Sequence, residues 1–249
     1  MPCKDAKAKL GLPEFYLYYM AMVQRFYLDA LQLPAESFRF KELVGEEKAF
    51  YNQYHWDIEA DLDTLGGWKE IAGLHYRTDH DLKGHEKVSG QSQSVTVDGK
   101  RFIPHVLEIS MGVDRNVYAL LDLAYTEEQD RIVLQFPRLV SPFNAGVFPL
   151  VSKDGLDRKA REIFELLKEN NFCVFFDESG SIGRRYRRID EIGVPMGITI
   201  DYDSMKQDDI TLRDRDTMKQ VRVKISDLPA QLKAFLKGEG IDKLGKPVK

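Results

Sequence analysis

The chain has 249 residues, 43% of them hydrophobic and 31% charged, with a formal net charge of −4. That is enough apolar material for real cores and enough length for two domains, which excludes wholesale disorder. An acidic total also excludes nucleic-acid binding driven by bulk charge, so any RNA contact must come from local basic patches.

Two cysteines, Cys3 and Cys173, exclude a disulfide framework and a cysteine-based zinc site, and suit a reducing, cytoplasmic setting. No apolar run approaches the ~18–20 residues of a membrane span. The N-terminal segment lacks the hydrophobic stretch of a secretory signal.

Residues 14–33 are rich in aromatics and are closed by Pro34. Tyr19, Met22, Phe26 and Ala30 recur at helical spacing and predict a helix with a broad apolar face, buried in a core. A charged stretch runs to about Tyr54. Trp68–Leu74 reads as a strand, with Trp68, Glu70, Ala72 and Leu74 on one face. Val95–Ile103 signals a hairpin, because Asp98-Gly99 between alternating runs favours a tight two-residue turn. Pro104 leads into a strand from His105 to Ser110, and Arg115 opens a helix carrying Val117, Leu120, Leu121 and Ala124. The first half is thus antiparallel strands backed by helices.

Thr126–Asn144, with Pro137 and Ser141-Pro142, reads as a connector. The expected division is 1–130, a linker at 131–144, and 145–249 with a short basic tail. Beyond the connector, strand and helix alternate. A strand from Ala145 to Leu150 precedes a helix in which Leu156, Ala160, Ile163, Phe164 and Leu167 share a face. Phe172–Phe176 is an all-apolar strand of the kind buried in a mainly parallel sheet, with Cys173 as an inert core residue. A basic helix starts near Ser181, and strands follow near 196–200, 210–212 and 221–224. The last helix, Pro229–Leu236, begins behind Ser226-Asp227 and ends near Gly238. The second half is an α/β layered domain.

Two clusters carry chemistry. Glu108 and Ser110 project to one face of their strand, Gly112 allows close backbone approach, and Arg115 stands at the start of the next helix. Such a set suits a nucleoside triphosphate held through magnesium, with arginine on the phosphate end. A plain strand and helix with solvated charges would show the same spacing.

The second cluster is Gly180-Ser-Ile-Gly-Arg-Arg-Tyr-Arg-Arg188 together with Thr211-Leu-Arg-Asp-Arg-Asp-Thr-Met-Lys-Gln220. Arg184, Arg187 and Arg188 fall on one helix face. Arg185 points elsewhere, toward an acid such as Asp190 or Glu191. Arg213 and Arg215 sit either on a salt-bridged edge strand or on an RNA surface. The spacing of His75, His80 and His85 places neighbours on opposite strand faces, which argues against a metal site. Gly180–Gly183 lacks the third glycine and the Gly-Lys-Ser/Thr end of nucleotide-binding loops.

These segments resemble the glycyl-tRNA synthetases of archaeal and eukaryotic type, which are class II aminoacyl-tRNA synthetases. Glu108-Ile-Ser-Met-Gly-Val-Asp-Arg115 looks like motif 3 in its Glu-Pro-Ser-x-Gly-x-x-Arg form. Gly67-Trp-Lys-Glu70-Ile-Ala-Gly73, continuing to Arg77-Thr-Asp-His-Asp81-Leu82, is similar to the family's strand beside the amino-acid pocket. His55-Trp-Asp-Ile-Glu59 resembles its Trp-Asp-x-Glu run. The arginine-rich stretches resemble the C-terminal anticodon-binding domain, shared with the histidyl, prolyl and threonyl enzymes.

The resemblance implies an α+β fold followed by an α/β one. Part of a class II antiparallel sheet with helices precedes an anticodon-binding domain with a mixed five-stranded sheet. It implies glycine–tRNA ligase activity with ATP and magnesium, and with no zinc or organic cofactor. Arg115 and Glu108 would be catalytic and ATP-binding, Glu108 ligating magnesium. Ser110 and Glu70 would bind glycine, and Arg184, Arg187, Arg188, Arg213 and Arg215 the anticodon. The partners would be glycine tRNA, glycine and ATP, with a homodimer in the full-length enzyme.

The chain departs from the pattern in places. Ile109 replaces the usual proline, His75-Tyr76 the usual Ala-Asp, and no large insertion separates Asp81-Leu82 from motif 3. The resemblance begins around Phe15. Neither motif 1 nor motif 2 is found, so the chain is expected to be inactive alone. The alternative is a non-catalytic synthetase-like RNA-binding or accessory protein, like the accessory subunits of mitochondrial DNA polymerase. An unrelated metal-dependent hydrolase using the histidines has no geometric support.

Overall fold

The structure, a computed structural model, describes residues 3–248. Readings that touch Met1, Pro2, the Cys3 side chain or Lys249 lie outside the described residues. The chain divides between Leu123 and Ala124 into two compact units. No described helix is long and apolar enough to cross a membrane.

The first unit opens with α1 (Cys3–Leu10) and α2 (Glu14–Arg25), which continues as a π-helical turn over Phe26–Ala30. The face turned inward is Tyr16, Leu17, Met20, Val23 and Tyr27. The expected face is instead exposed at Tyr19, Met22 and Phe26. The helix is apolar around most of its circumference, so periodicity cannot choose a side. Docking chooses it: the Tyr16 hydroxyl donates 2.7 Å to the Leu74 carbonyl. Burial pushes the Tyr16 hydroxyl pKa well above its ordinary value, so it stays a donor.

The main sheet has the order β1 (Phe38–Glu42), β2 (Tyr54–Leu62), β3 (Gly67–Thr78), β6 (Val106–Met111), with every pair antiparallel. Between β3 and β6 lie α3 (His80–Ser89) and the hairpin β4 (Val95–Val97) and β5 (Lys100–Phe102). Asp98 and Gly99 both have positive φ, 49° and 73°, as the tight turn requires. Then α4 (Val113–Ala124) carries Arg115 in its first turn.

The charged stretch thus hides one strand, β1, and a second, β2, begins where it ends. In β2, Trp56, Ile58, Ala60 and Leu62 alternate with Asp57, Glu59 and Asp61, giving one apolar and one acidic face. A bulge corrects the reading of β3. Ile58 pairs with Ala72 but Glu59 with Glu70, leaving Ile71 as the extra residue. Trp68 and Glu70 therefore share the acidic face, while Ala72 and Leu74 lie on the apolar one.

The second unit begins with the antiparallel pair β7 (Tyr125–Glu127) and β8 (Ile132–Leu134), so part of the expected connector is ordered strand. Its sheet combines β9 (Ala145–Pro149), β10 (Val174–Phe176), β11 (Met196–Ile200), β12 (Asp209–Asp214), β13 (Gln220–Lys224) and β14 (Lys246–Pro247), in the order β10-β9-β11-β12-β13-β14. The first three are parallel and the rest antiparallel. The sheet is mixed, as expected, but six-stranded rather than five-stranded. The two residues of β14 are too few to leave a periodic signal.

α5 (Leu156–Glu169) buries Leu156, Ala160, Ile163 and Leu167 in the core, and α8 (Leu228–Leu236) buries Leu228, Leu232 and Phe235. α6 (Ile182–Glu191) and α7 (Tyr202–Gln207) complete the unit. β10 is an edge strand rather than a central one, and Cys173, which precedes it, is exposed rather than core. An all-apolar run cannot by itself tell edge from centre.

Candidate functional site

Residues opposed across antiparallel strands share a face. Pairing therefore sets two rows across β2, β3 and β6: Asp57–Gly73–Ser110 and His55–His75–Glu108. The bulge adds Glu70 opposite Glu59 on the same face. Glu108 and Ser110 come together as the alternation predicts, and Glu70 joins them only because Ile71 is an extra residue.

Charges on this face are sorted. Asp57 and Glu59 are buried, and Glu59 accepts from the Arg39 Nε at 2.7 Å. Burial and then the neighbouring Glu70 carboxylate push the Asp57 carboxyl above its ordinary value. Arg77 donates to both oxygens of Asp81, at 2.7 and 2.8 Å, and to Glu108 Oε2. Arg115, more than half exposed, places Nη1 3.1 Å from Glu70 Oε1. Beside that pair lies a cavity of about 520 Å³ lined by Leu62, Leu65, Glu70, Ile71, Arg115 and Tyr118. His75 lies on the sheet face, His80 stacks on Tyr51, and His85 is on the exposed side of α3.

In the second unit, the Ser181 hydroxyl caps α6. Arg184 is exposed and Arg187 half-buried, and among the described residues neither has a salt-bridge partner. Arg188 shares their face but is tied to Asp177, its Nε donating at 2.7 Å. Arg185 does point elsewhere, but not to an acid. It is buried and donates to the carbonyls of Pro149, Glu178, Ser179 and Gly180.

Arg213 and Arg215, expected at an RNA surface, are buried. Arg213 donates to both oxygens of the fully buried Asp190, at 3.0 and 3.2 Å. Arg215 donates to the carbonyls of Gly193 (2.8 Å) and Phe136 (2.9 Å) and to Asp216. An arginine-aspartate alternation reads alike on a wet edge and in a satisfied interior. Burial decides between them, and β12 is internal to its sheet.

Sequence reasoning quotes Asp57, Glu59 and Arg77 within resembling runs without giving them individual roles, and passes over Arg131. The first two were legible, since alternation across 55–62 puts both carboxylates on one face. Arg131 donates 2.9 Å to Asp190 from within the expected linker, where a lone arginine carries no signal.

Residues 144–235 match the anticodon binding domain family. Most of the chain is similar to glycine–tRNA ligases. It is 36% identical to that of Aeropyrum pernix over 307 residues, covering 93% of this chain and 52% of the relative. It is 39% identical to that of Borrelia hermsii over 226 residues, covering 87% and 50%. For Pyrococcus horikoshii the identity is 32% over 302 residues, covering 90% and 53%. The chain spans about half the length of the curated relatives it matches.

Proposed function

We propose that this chain, a relative of the glycine–tRNA ligases along most of its length, supplies two parts of such an enzyme: the amino-acid and phosphate floor, and the reader of the tRNA anticodon. One observation carries the reading. A single sheet face gathers Asp57, Glu59 and Glu70 around a glycine, Gly73, with the Ser110 hydroxyl opposite.

Glycine offers no side chain to recognise, so a site for it needs a small floor, anions for the ammonium and few other polar groups. The three carboxylates meet the ammonium, and Ser110 lies beside the rest of the molecule. Arg115 takes the terminal phosphate of ATP, exchanging Glu70 for it. Glu108, whose Oε2 is held by Arg77, would be the residue that holds the magnesium arriving with ATP. In-line attack of the glycine carboxylate on the α-phosphorus breaks the bond to the β-phosphate, releases pyrophosphate and builds charge at the α-phosphate. The three guanidiniums of this face, Arg39, Arg77 and Arg115, are held by carboxylates, so the cation that answers this charge comes from outside these residues. Homodimerisation of the full-length enzyme belongs to the same reading.

In the second unit, Arg184 and Arg187 face the anticodon, where unstacked bases are read by hydrogen bonds and guanidinium stacking. Arg188 assists from its Asp177 anchor. Arg213 and Arg215 build the platform beneath them.

The test is glycine-dependent ATP–pyrophosphate exchange. The chain is assayed alone and after joining to the remaining half of a relative, with Ser110→Ala and Arg115→Ala beside it. Exchange only in the joined protein, lost with either substitution, supports the reading. Exchange indifferent to both substitutions overturns it.

A further inference from the structure

His75 follows Gly73 by two residues on β3 and shares its sheet face. A Cβ placed on Gly73 would meet His75 Nε2 at 2.3 Å, so the ring fills the volume that a side chain at position 73 would take. That volume is the middle of the Asp57–Gly73–Ser110 row.

The other ring nitrogen is engaged. His75 Nδ1 lies 3.1 Å from Asn52 Nδ2, and Asn52 is buried. With the Asn52 amide nitrogen turned to the ring and its Oδ1 buried without a partner, Nδ1 is the acceptor and a neutral ring carries its proton on Nε2. The groups facing the ring are the His55 imidazole, its centroid 4.2 Å away, and Glu108 opposite on β6; Arg77 and Glu70 are further charges nearby. Burial first and then His55 hold the His75 pKa below its ordinary value, so the ring is neutral at pH 7. Among the described contacts Nε2–H has no partner.

We propose that His75 is a substrate-binding and specificity-determining residue of the amino-acid site, presenting Nε2–H over Gly73 to the carboxylate of a bound α-amino acid. The inference rests on reading the acidic row as the ammonium end of that site. An N–H donor repels an ammonium and matches a carboxylate, so the face is divided by chemistry. Asp57, Glu59 and Glu70 are anions for one end of a zwitterion, and His75 Nε2–H with the Ser110 hydroxyl are donors for the other. The Nε2–H tautomer makes the second end a donor at neutral pH without a charge that would disturb the first.

The experiment is long-range 1H–15N correlation of the histidine rings in the uniformly 15N-labelled full chain at pH 7, titrated with glycine, acetate and methylammonium. His75 is expected as the Nε2–H tautomer. Glycine and acetate should shift its Nε2 resonance, and methylammonium should leave it in place. His75→Ala should raise the glycine concentration for half-maximal shift of the Ser110 amide roughly tenfold, as loss of one charge-assisted hydrogen bond predicts. His75→Gln, which keeps an N–H donor, should recover part of that loss. If glycine moves the Ser110 and Glu70 amides while both His75 nitrogens stay fixed, or if Nδ1 carries the proton, the role of His75 is overturned and the amino-acid site stands. If glycine moves none of them, the amino-acid site itself is wrong and the inference falls with it.

Discussion

Arg213 Nη1 lies 3.0 Å from Asp190 Oδ1, and the carboxylate it meets is fully buried. Arg131 takes the other oxygen at 2.9 Å and donates as well to the Arg215 carbonyl at 2.8 Å. One carboxylate thus joins α6, β12 and the turn before β8, holding in the interior charges that the sequence displays as if for solvent.

Removing that carboxylate strands two buried guanidiniums. Asp190→Ala should destabilise the second unit by about 3–5 kcal/mol, whereas Arg187→Ala should change it by less than about 0.5 kcal/mol. Urea unfolding followed by hydrogen exchange of the β11 and β12 amides reads the difference. Equal effects would mean that the buried cluster is not structural.

Arg184→Ala and Arg187→Ala should each weaken binding of glycine tRNA. Each should also lower the slope of log affinity against log salt by about one, with melting unchanged. Arg213→Ala should lower the melting temperature first. Salt-dependent binding of each variant beside its thermal unfolding separates the two groups of arginines. An Arg213→Ala protein as stable as wild type but deficient in RNA binding would reverse the assignment.

Gly73→Ala forces its methyl into the His75 ring and should cost about 1–3 kcal/mol. Gly73→Ala with His75→Ala should restore most of the loss, so the pair is strongly non-additive. Both tryptophans, Trp56 and Trp68, are in the first unit, so their fluorescence during urea unfolding follows it alone. Additive costs would show that the ring does not lie over Gly73.

The folded His75 pKa lies below the ordinary 6.5, through burial first and then His55. Its contribution to stability is therefore full above about pH 6.5 and is lost as pH falls through the folded value. Asp57 is shifted up from 3.8 and acts in the opposite sense, favouring the folded state at the acid end and losing that contribution as pH rises through its folded value. The tryptophan-detected urea midpoint should fall between pH 7.5 and pH 5.5, and His75→Gln should flatten that fall. Identical pH slopes in the two proteins would rule out His75 as its source.

Much of this was legible in the residues, and the failures have physical causes. The hairpin at Asp98-Gly99, the alternation that unites Glu108 with Ser110, and the α5 core face are local rules that burial reinforced. The side of α2 that docks was illegible because aromatics surround the helix, and Glu70 reached the acidic face only through a one-residue bulge that no period announces. The fate of Arg213 and Arg215 depended on Asp190 and Arg131, distant in sequence, since a charge run carries no mark of its burial.

The most direct measurement is binding of the full chain to glycine tRNA transcripts, wild type against one with a substituted anticodon, across a range of salt. The account predicts a clear loss of affinity on substitution that persists as salt rises, because bases as well as phosphates are read. Equal affinities for both, collapsing together with salt, would contradict it and leave the arginine face of α6 as a nonspecific surface.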